Sequence, residues 1–158
     1  MTTDPVSGGA DDLGIVDALA QLSFAVQNAL ARRAAAHELS LTQVRLLGIL
    51  RDRTPGMREL AHMLELDKSS VTGLVDRAAR RGLVRREASR DDRRVSFVAL
   101  TDEGRVIVDV VARGFADDVY KLIAHVGDRD ARELSRIASA VARHQVDGVP
   151  GSSVDAPT

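Results

Sequence analysis

The sequence predicts a mainly α-helical fold carrying one small β-hairpin, and three observations point to it. Apolar residues make up 44% of the chain but aromatics only 3%, a balance that favours aliphatic helix packing over a β-sandwich. Most of the apolar residues recur at the three- and four-residue spacing of helices. The exception is Leu83 to Leu100, where β-branched alternation takes over around a polar turn. At 158 residues the chain is long enough for one real core but not for two independent ones.

Residues 1–10 hold Thr, Ser, Gly and Pro with almost no bulk, so disorder is expected there. From Asp11 to about Ala36 a long helix is expected. Leu13, Val16, Leu19, Leu22, Phe24 and Val26 wrap more than a single stripe of it, more apolar surface than one packing contact needs. Part of that surface is expected to face a second subunit. His37 to Ser40 reads as a break, Thr42 as the N-cap of a helix to about Arg51, and Thr54-Pro55-Gly56 as a turn. Met57 to Leu64 makes a short helix with Leu60, Ala61 and Leu64 inward, and Glu65-Leu66 is the turn after it.

Asp67 is a good N-cap for the next helix, since its carboxylate can accept the free amide hydrogens of the first turn. Val71, Leu74, Val75 and Ala78 form its apolar back. The front carries Lys68, Ser69, Ser70, Thr72, Gly73, Asp76, Arg77 and Arg80, which are small, hydroxylic or charged. Gly82 stands just past the last turn, where a left-handed stop is cheapest for glycine. Strands follow over Leu83 to Glu87 and Val95 to Leu100, joined by the polar turn Ala88 to Arg94. Thr101 then caps a second long helix, with Asp102 and Glu103 placed against its N-terminal dipole. That helix keeps its period to about His125, Val126-Gly127-Asp128 breaks it, and a last helix runs from about Arg129 to Gln145. Residues 147–158 read as a flexible tail.

Helix, turn, helix, then a hairpin with a charged tip is the layout of a winged helix-turn-helix. A helix with an apolar back and a small, hydroxylic, cationic front suits the major groove, where small side chains allow close approach to base edges. The charge distribution agrees. The chain carries −1 overall, but Lys68 to Arg94 holds nine bases and four acids, +5 net, against −6 for the remainder. Such asymmetry focuses positive potential on one surface.

The run ELAHMLELDKSSVTGLVDRAARRGLVRREASRDDRRVSFVALTDEG, Glu59 to Gly104, resembles the core of the MarR family of bacterial winged-helix repressors. The matching features are the ELA helix, the DKSSVT recognition helix, GLV-R-R entering the wing, D-x-R at its tip and LT-x-x-G leaving it. Leu41-Thr42-Gln43 with Val44, Leu46, Leu47 and Leu50 fits the family's second helix. The likeness extends over roughly residues 13–145. One departure is Ala78-Ala79, where the family usually carries a larger apolar residue and then an acid, which thins the packing behind the recognition helix.

The resemblance implies a domain plan: residues 11–36 a dimerisation helix, 37–100 the winged helix-turn-helix module, and 101–146 further dimerisation helices. It implies a homodimer, and two recognition helices related by a two-fold match a pseudo-palindrome with half-sites about one helical turn apart. On the recognition helix, Ser69, Ser70, Thr72, Gly73 and Arg77 are assigned to the DNA face. Gly73 either permits close backbone approach to DNA or is neutral at an exposed site. At the wing, Asp92 and Arg94 match D-x-R, whose arginine in the family enters the minor groove while the aspartate orients it. Lys68, Arg85, Arg86, Arg90 and Arg93 are assigned to phosphates, which makes binding fall steeply with salt. The resemblance also implies a pocket for a small molecule, often an aromatic or phenolic acid, with Phe24, His37, Leu47 and Phe115 as the lining. Repression rather than activation is the family's common case.

Other function classes find less in the sequence. There is no cysteine, so neither disulfides nor the cysteine-peroxide mechanism of one branch of the resembled family applies. His37, His62, His125 and His144 show no metal-ligand spacing, so no metal or other cofactor is expected. No serine, carboxylate or phosphate-loop motif for catalysis is present, and an enzyme is not expected. The alternatives carried forward are a metal-sensing regulator and a winged-helix scaffold that binds protein instead of DNA. No apolar run reaches the length of a membrane span, and the N-terminal residues lack a signal pattern. A cytoplasmic protein, nucleoid-associated when bound to DNA, is the expectation.

Overall fold

The computed structural model describes residues 13–88 and 96–147, with side chains as far as Arg143. The first compact unit runs to Val119 and the second from Tyr120. Six helices and one hairpin are laid out along the described chain: α1 Gly14–Ala35, α2 Leu41–Asp52, α3 Met57–Leu64, α4 Lys68–Arg80, β1 Val84–Ala88, β2 Ser96–Leu100, α5 Asp102–Leu122 and α6 Asp128–Asp147. The expected disordered N-terminus, the hairpin tip and nearly all of the expected tail lie outside the described residues.

One core cluster joins α2, α3, α4 and the hairpin to α1 and α5 within the first unit. Leu46, Leu60, Val71, Val75 and Val98 have no exposed surface at all. Each lies at the helical or strand spacing read from the sequence, so burial follows periodicity directly. Ala78 is also buried, and its small side chain is accommodated behind α4 with no loss of the apolar face.

Caps set the element ends. Asp67 accepts the amides of Ser69 and Ser70 at the start of α4, and Gly82 stops the chain beyond it at φ +71°. At the start of α2 the cap is Ser40, not Thr42. Its hydroxyl accepts the Gln43 amide, and the Gln43 side chain in turn accepts the Ser40 amide. This reciprocal box satisfies two orphan donors, whereas a cap at Thr42 would leave the Ser40 amide unpaired.

Pro55 and Gly56, expected as a plain turn, also join the hairpin. The Val98 amide donates to the Pro55 carbonyl at 3.0 Å, and Gly56 bridges Phe97. The strands pair antiparallel in the register Val84 with Leu100 and Arg86 with Val98. Leaving the hairpin, the Thr101 hydroxyl donates to the Gly82 carbonyl at 2.6 Å and accepts the Gly104 amide at 2.9 Å. Gly104 is pressed against the Leu83 backbone so closely that a Cβ there would stand 1.9 Å from the Leu83 carbonyl oxygen. That contact is the physical content of LT-x-x-G.

α5 ends at Leu122, a turn earlier than periodicity suggested, and α6 begins at Asp128. In the second unit no residue of α6 is buried among those with described side chains, Asp128 to Arg143. Leu134, Ile137 and Val141 lie exposed along it at helical spacing.

Candidate nucleic-acid interface

α4 is two-sided. Val71, Leu74, Val75 and Ala78 are all at most 2% exposed, while Lys68, Ser69, Ser70, Asp76 and Arg77 face solvent. Ser69, Ser70, Gly73 and Arg77 line one open depression of about 370 Å³. Ser40 and Thr42, at the start of α2, line it too. Sequence reasoning had assigned neither to this surface, and their neighbourhood to α4 has no local signature.

The hydroxyls of the front are all engaged. Ser69 Oγ donates to one Asp67 carboxylate oxygen at 2.5 Å and Ser70 Oγ to the other at 2.6 Å. The amides of both serines donate to Asp67 at 2.9 Å. With hydroxyl and amide donors converging on it, the Asp67 carboxyl is held far below the usual carboxylate range. Thr72 Oγ1 donates back to the Lys68 carbonyl at 2.8 Å. Arg77 folds along its own helix, so that a Cβ at Gly73 would meet its guanidinium at 3.3 Å. The space beside Gly73 is thus taken by the end of a flexible, exposed side chain of the same helix.

The two arginines of β1 part company. Strand residues alternate between faces, so Arg85 and Arg86 cannot serve one surface equally. Arg86 turns to α4 and pairs with Asp76 at 2.6 Å. Arg85 turns to the other face, where Glu87 and the Leu100 carbonyl hold it at 2.8 and 2.6 Å. Of the assigned phosphate contacts, Arg86 and Lys68 thus lie beside the recognition helix and Arg85 does not. Asp92 and Arg94, with Arg90 and Arg93, lie outside the described residues.

Arg81 was assigned no role from sequence, yet it ties α4 to the rest of the first unit. Its guanidinium donates to the carbonyls of Glu38 at 2.7 Å and His37 at 2.9 Å. This corner turns through Glu38 in a left-handed conformation, φ +55°, and Arg81 spans 43 and 44 residues of sequence to reach it.

Between α1, α2 and α5 lies an apolar cavity of about 160 Å³. Of the four residues offered as ligand-pocket lining, Leu47 and Phe115 line this cavity, together with Leu30, Leu39, Val108 and the charged Arg51. Phe24 and His37 do not. Phe24 sits almost two turns before Leu30 on α1 and is 64% exposed, and His37 lies in the corner beyond the helix end. Among the described residues no group of His, Asp or Glu is arranged to hold a metal ion, and no helix is long and apolar enough to cross a membrane.

Residues 37–95, which include α2 to α4 and the first strand, match the family model described as MarR family. The regulator PecS of Dickeya dadantii is 23% identical over 136 residues, 84% of this chain and 82% of its own length. The crystal structure of apo MarR from E. coli superposes with a TM-score of 0.71 at 19% identity, covering 83% of this chain and 98% of that one. CouR from Rhodococcus jostii, solved bound to p-coumaroyl-CoA, superposes at 0.64 with 23% identity, covering 84% and 93%. PecS is named as a transcriptional regulator, and apo MarR and CouR share the fold of this chain. Residues 37–95 thus carry the MarR-family match, and the fold of the chain is that of the MarR winged-helix structures.

Proposed function

We propose that the chain is a homodimeric repressor that binds a pseudo-palindromic site in double-stranded DNA and is released by a small aromatic or phenolic ligand. The observation that carries the DNA reading is α4. Its back is sealed in the core, and its largely exposed front offers hydroxyls and cations beside a wing. Ser69, Ser70, Thr72, Gly73 and Arg77 enter the major groove in this reading. Lys68 and Arg86 contact phosphates, with Arg90 and Arg93, and Arg94 with Asp92 reaches the minor groove, whose negative potential attracts arginine.

The dimer is supported by apolar surface that the described residues leave uncovered. Ile15 and Val16 of α1 are 73% and 76% exposed, and Val106 of α5 is 61% exposed. Large exposed apolar patches commonly mark protein interfaces. The ligand is supported by the apolar cavity, with Arg51 as its one charged wall residue, and by the bound acyl thioester in CouR. A ligand that prefers a different spacing of the two recognition helices shifts the population away from the DNA-competent state. For ordinary coupling energies of about 1–3 kcal/mol this lowers DNA affinity roughly 5–150-fold.

The test is fluorescence anisotropy with a duplex from upstream of the protein's own gene and a scrambled duplex, at two salt concentrations. The expected result is tight, salt-dependent binding of two chains per site, weakened strongly by Arg94→Ala. Equal, weak binding of both duplexes by both proteins at low salt removes the proposal.

A further inference from the structure

We propose that the first turns of the recognition helix read base amino groups, adenine N6 or cytosine N4, through hydroxyl oxygens whose protons are held inside the protein. This rests on the DNA-binding reading above and assigns its chemistry. A hydroxyl has one proton to donate and two lone pairs to accept with. The Asp67 carboxylate brings no proton of its own, so the protons in its short bonds to Ser69 and Ser70 belong to the serines. The Lys68 carbonyl also only accepts, so the proton between it and Thr72 belongs to the threonine. All three hydroxyls on the front of α4 therefore present lone pairs outward.

That polarity selects partners. In the major groove the exocyclic amino groups of adenine and cytosine donate, whereas guanine O6 and N7, adenine N7 and thymine O4 accept. Phosphate oxygens accept as well. A serine that turned its proton outward to meet any of these would strip a charge-assisted bond from Asp67, and bonds of that type are the strong class. It would also leave the carboxylate less satisfied near the phosphate backbone. The donors of the same face are Lys68, Arg77 and Arg80, and these take the acceptors. Asp67 is thus a positioning residue: it touches no base but fixes what Ser69 and Ser70 can recognise.

The test uses the full chain. Duplexes that it retains are first selected from a random pool. In a selected duplex each adenine is replaced singly by purine, and each cytosine by pyrimidin-2-one, which deletes one amino group at a time. Binding is measured for wild type, Ser69→Ala, Ser70→Ala and Thr72→Val. The expected result is at least one position where deletion weakens wild type about 3–10-fold more than it weakens one of the variants, as one net hydrogen bond implies. Comparing variants at each position cancels the effect of the analogue on duplex stability itself. Asp67→Asn supplies a donor to the serines, frees a serine proton, and is expected to admit guanine or thymine at the coupled position. Coupling of the hydroxyls to guanine N7, read with 7-deazaguanine, overturns the proposal, and so does the absence of coupling at every position for all three variants. Failure to enrich any duplex over the random pool overturns the DNA-binding reading instead, so the two failures are told apart.

Discussion

The winged-helix module and the helices that flank it treat their apolar residues in opposite ways. From Leu46 to Leu100, most of the apolar residues at helical and strand spacing are buried, and Ile49, Met57, Ala61, Leu66 and Ala79, half-exposed, pack against the same core. In the first half of α1 the same kind of periodicity leads to exposure: Leu13, Ile15, Val16, Leu19 and Phe24 are each more than half exposed. The second half of α1 returns to the core through Ala29 and Ala34. Amphipathic periodicity specifies that a face must be covered, but not by what. In the module the cover lies within the same chain, and on the α1 face the described chain provides none.

The largest effect is expected inside the module, at Gly104. A methyl group there runs into the Leu83 carbonyl, which is backbone, already accepts the Thr101 amide, and cannot swing aside. Gly104→Ala is expected to destabilise the fold by about 3 kcal/mol or more, the upper end of overpacking penalties. For a chain of this size that lowers Tm by roughly 10 °C. A thermal melt within a degree or two of wild type would show that the joint between hairpin and α5 is softer than its geometry.

On the flanks the expected effect is of another kind. Val16→Ser with Leu19→Ser removes exposed apolar surface, so the fold of the single chain is expected to change by less than about 0.5 kcal/mol. Self-association is where the loss should appear. Two interface anchors at ordinary hot-spot cost, about 1–2 kcal/mol each, weaken a dimer on the order of 100-fold. Sedimentation equilibrium reads this directly, and an unchanged association constant means that the first half of α1 is not the interface.

The same contrast explains what could be read from the sequence and what could not. Asp67, Gly82 and Thr101 were legible because each acts on backbone within three residues or at its own position: a cap, a left-handed stop, a cap. The box at Ser40 was legible in principle, since Ser40 and Gln43 carry the required three-residue spacing, but the nearby Thr42 offered a competing hydroxyl. Arg81 gave no signal at all, because its partners are carbonyls in a corner more than 40 residues earlier, and any residue type supplies a carbonyl. Arg33 was illegible for its distance alone: it reaches the Asp118 carboxylate across 85 residues to clamp α1 to α5 with two bonds of 2.8 and 2.6 Å. Of the residues that the resemblance offered as pocket lining, Leu47 and Phe115 stand on the cavity wall, whereas Phe24 lies almost two turns away on a helix whose apolar residues surround it. On α4 the solvent-facing positions were legible, but not the polarity of their hydroxyls, which depends on where Asp67 points.

The smallest effect is expected at that carboxylate, and it separates the cap from the core by pH. The folded-state pKa of Asp67 is depressed because four hydrogens converge on its ionised form. The stabilisation is therefore complete above the unfolded pKa, about 3.9 for an aspartate, and is lost as pH falls through the lower folded value. Asp52 and Glu133 are depressed by their arginine neighbours and slope in the same direction, so wild type alone cannot isolate Asp67. In Asp67→Ser the hydroxyl still caps the helix but does not titrate, and the slopes of the other acids are common to both proteins. The difference in Tm between wild type and Asp67→Ser is expected to be constant from pH 7 to about pH 5 and to shift against wild type below about pH 4. Melting curves that stay parallel down to the acid limit mean that the serines and amides do not hold this carboxylate in solution. The fixed hydroxyl polarity of the recognition helix would then lose its support as well.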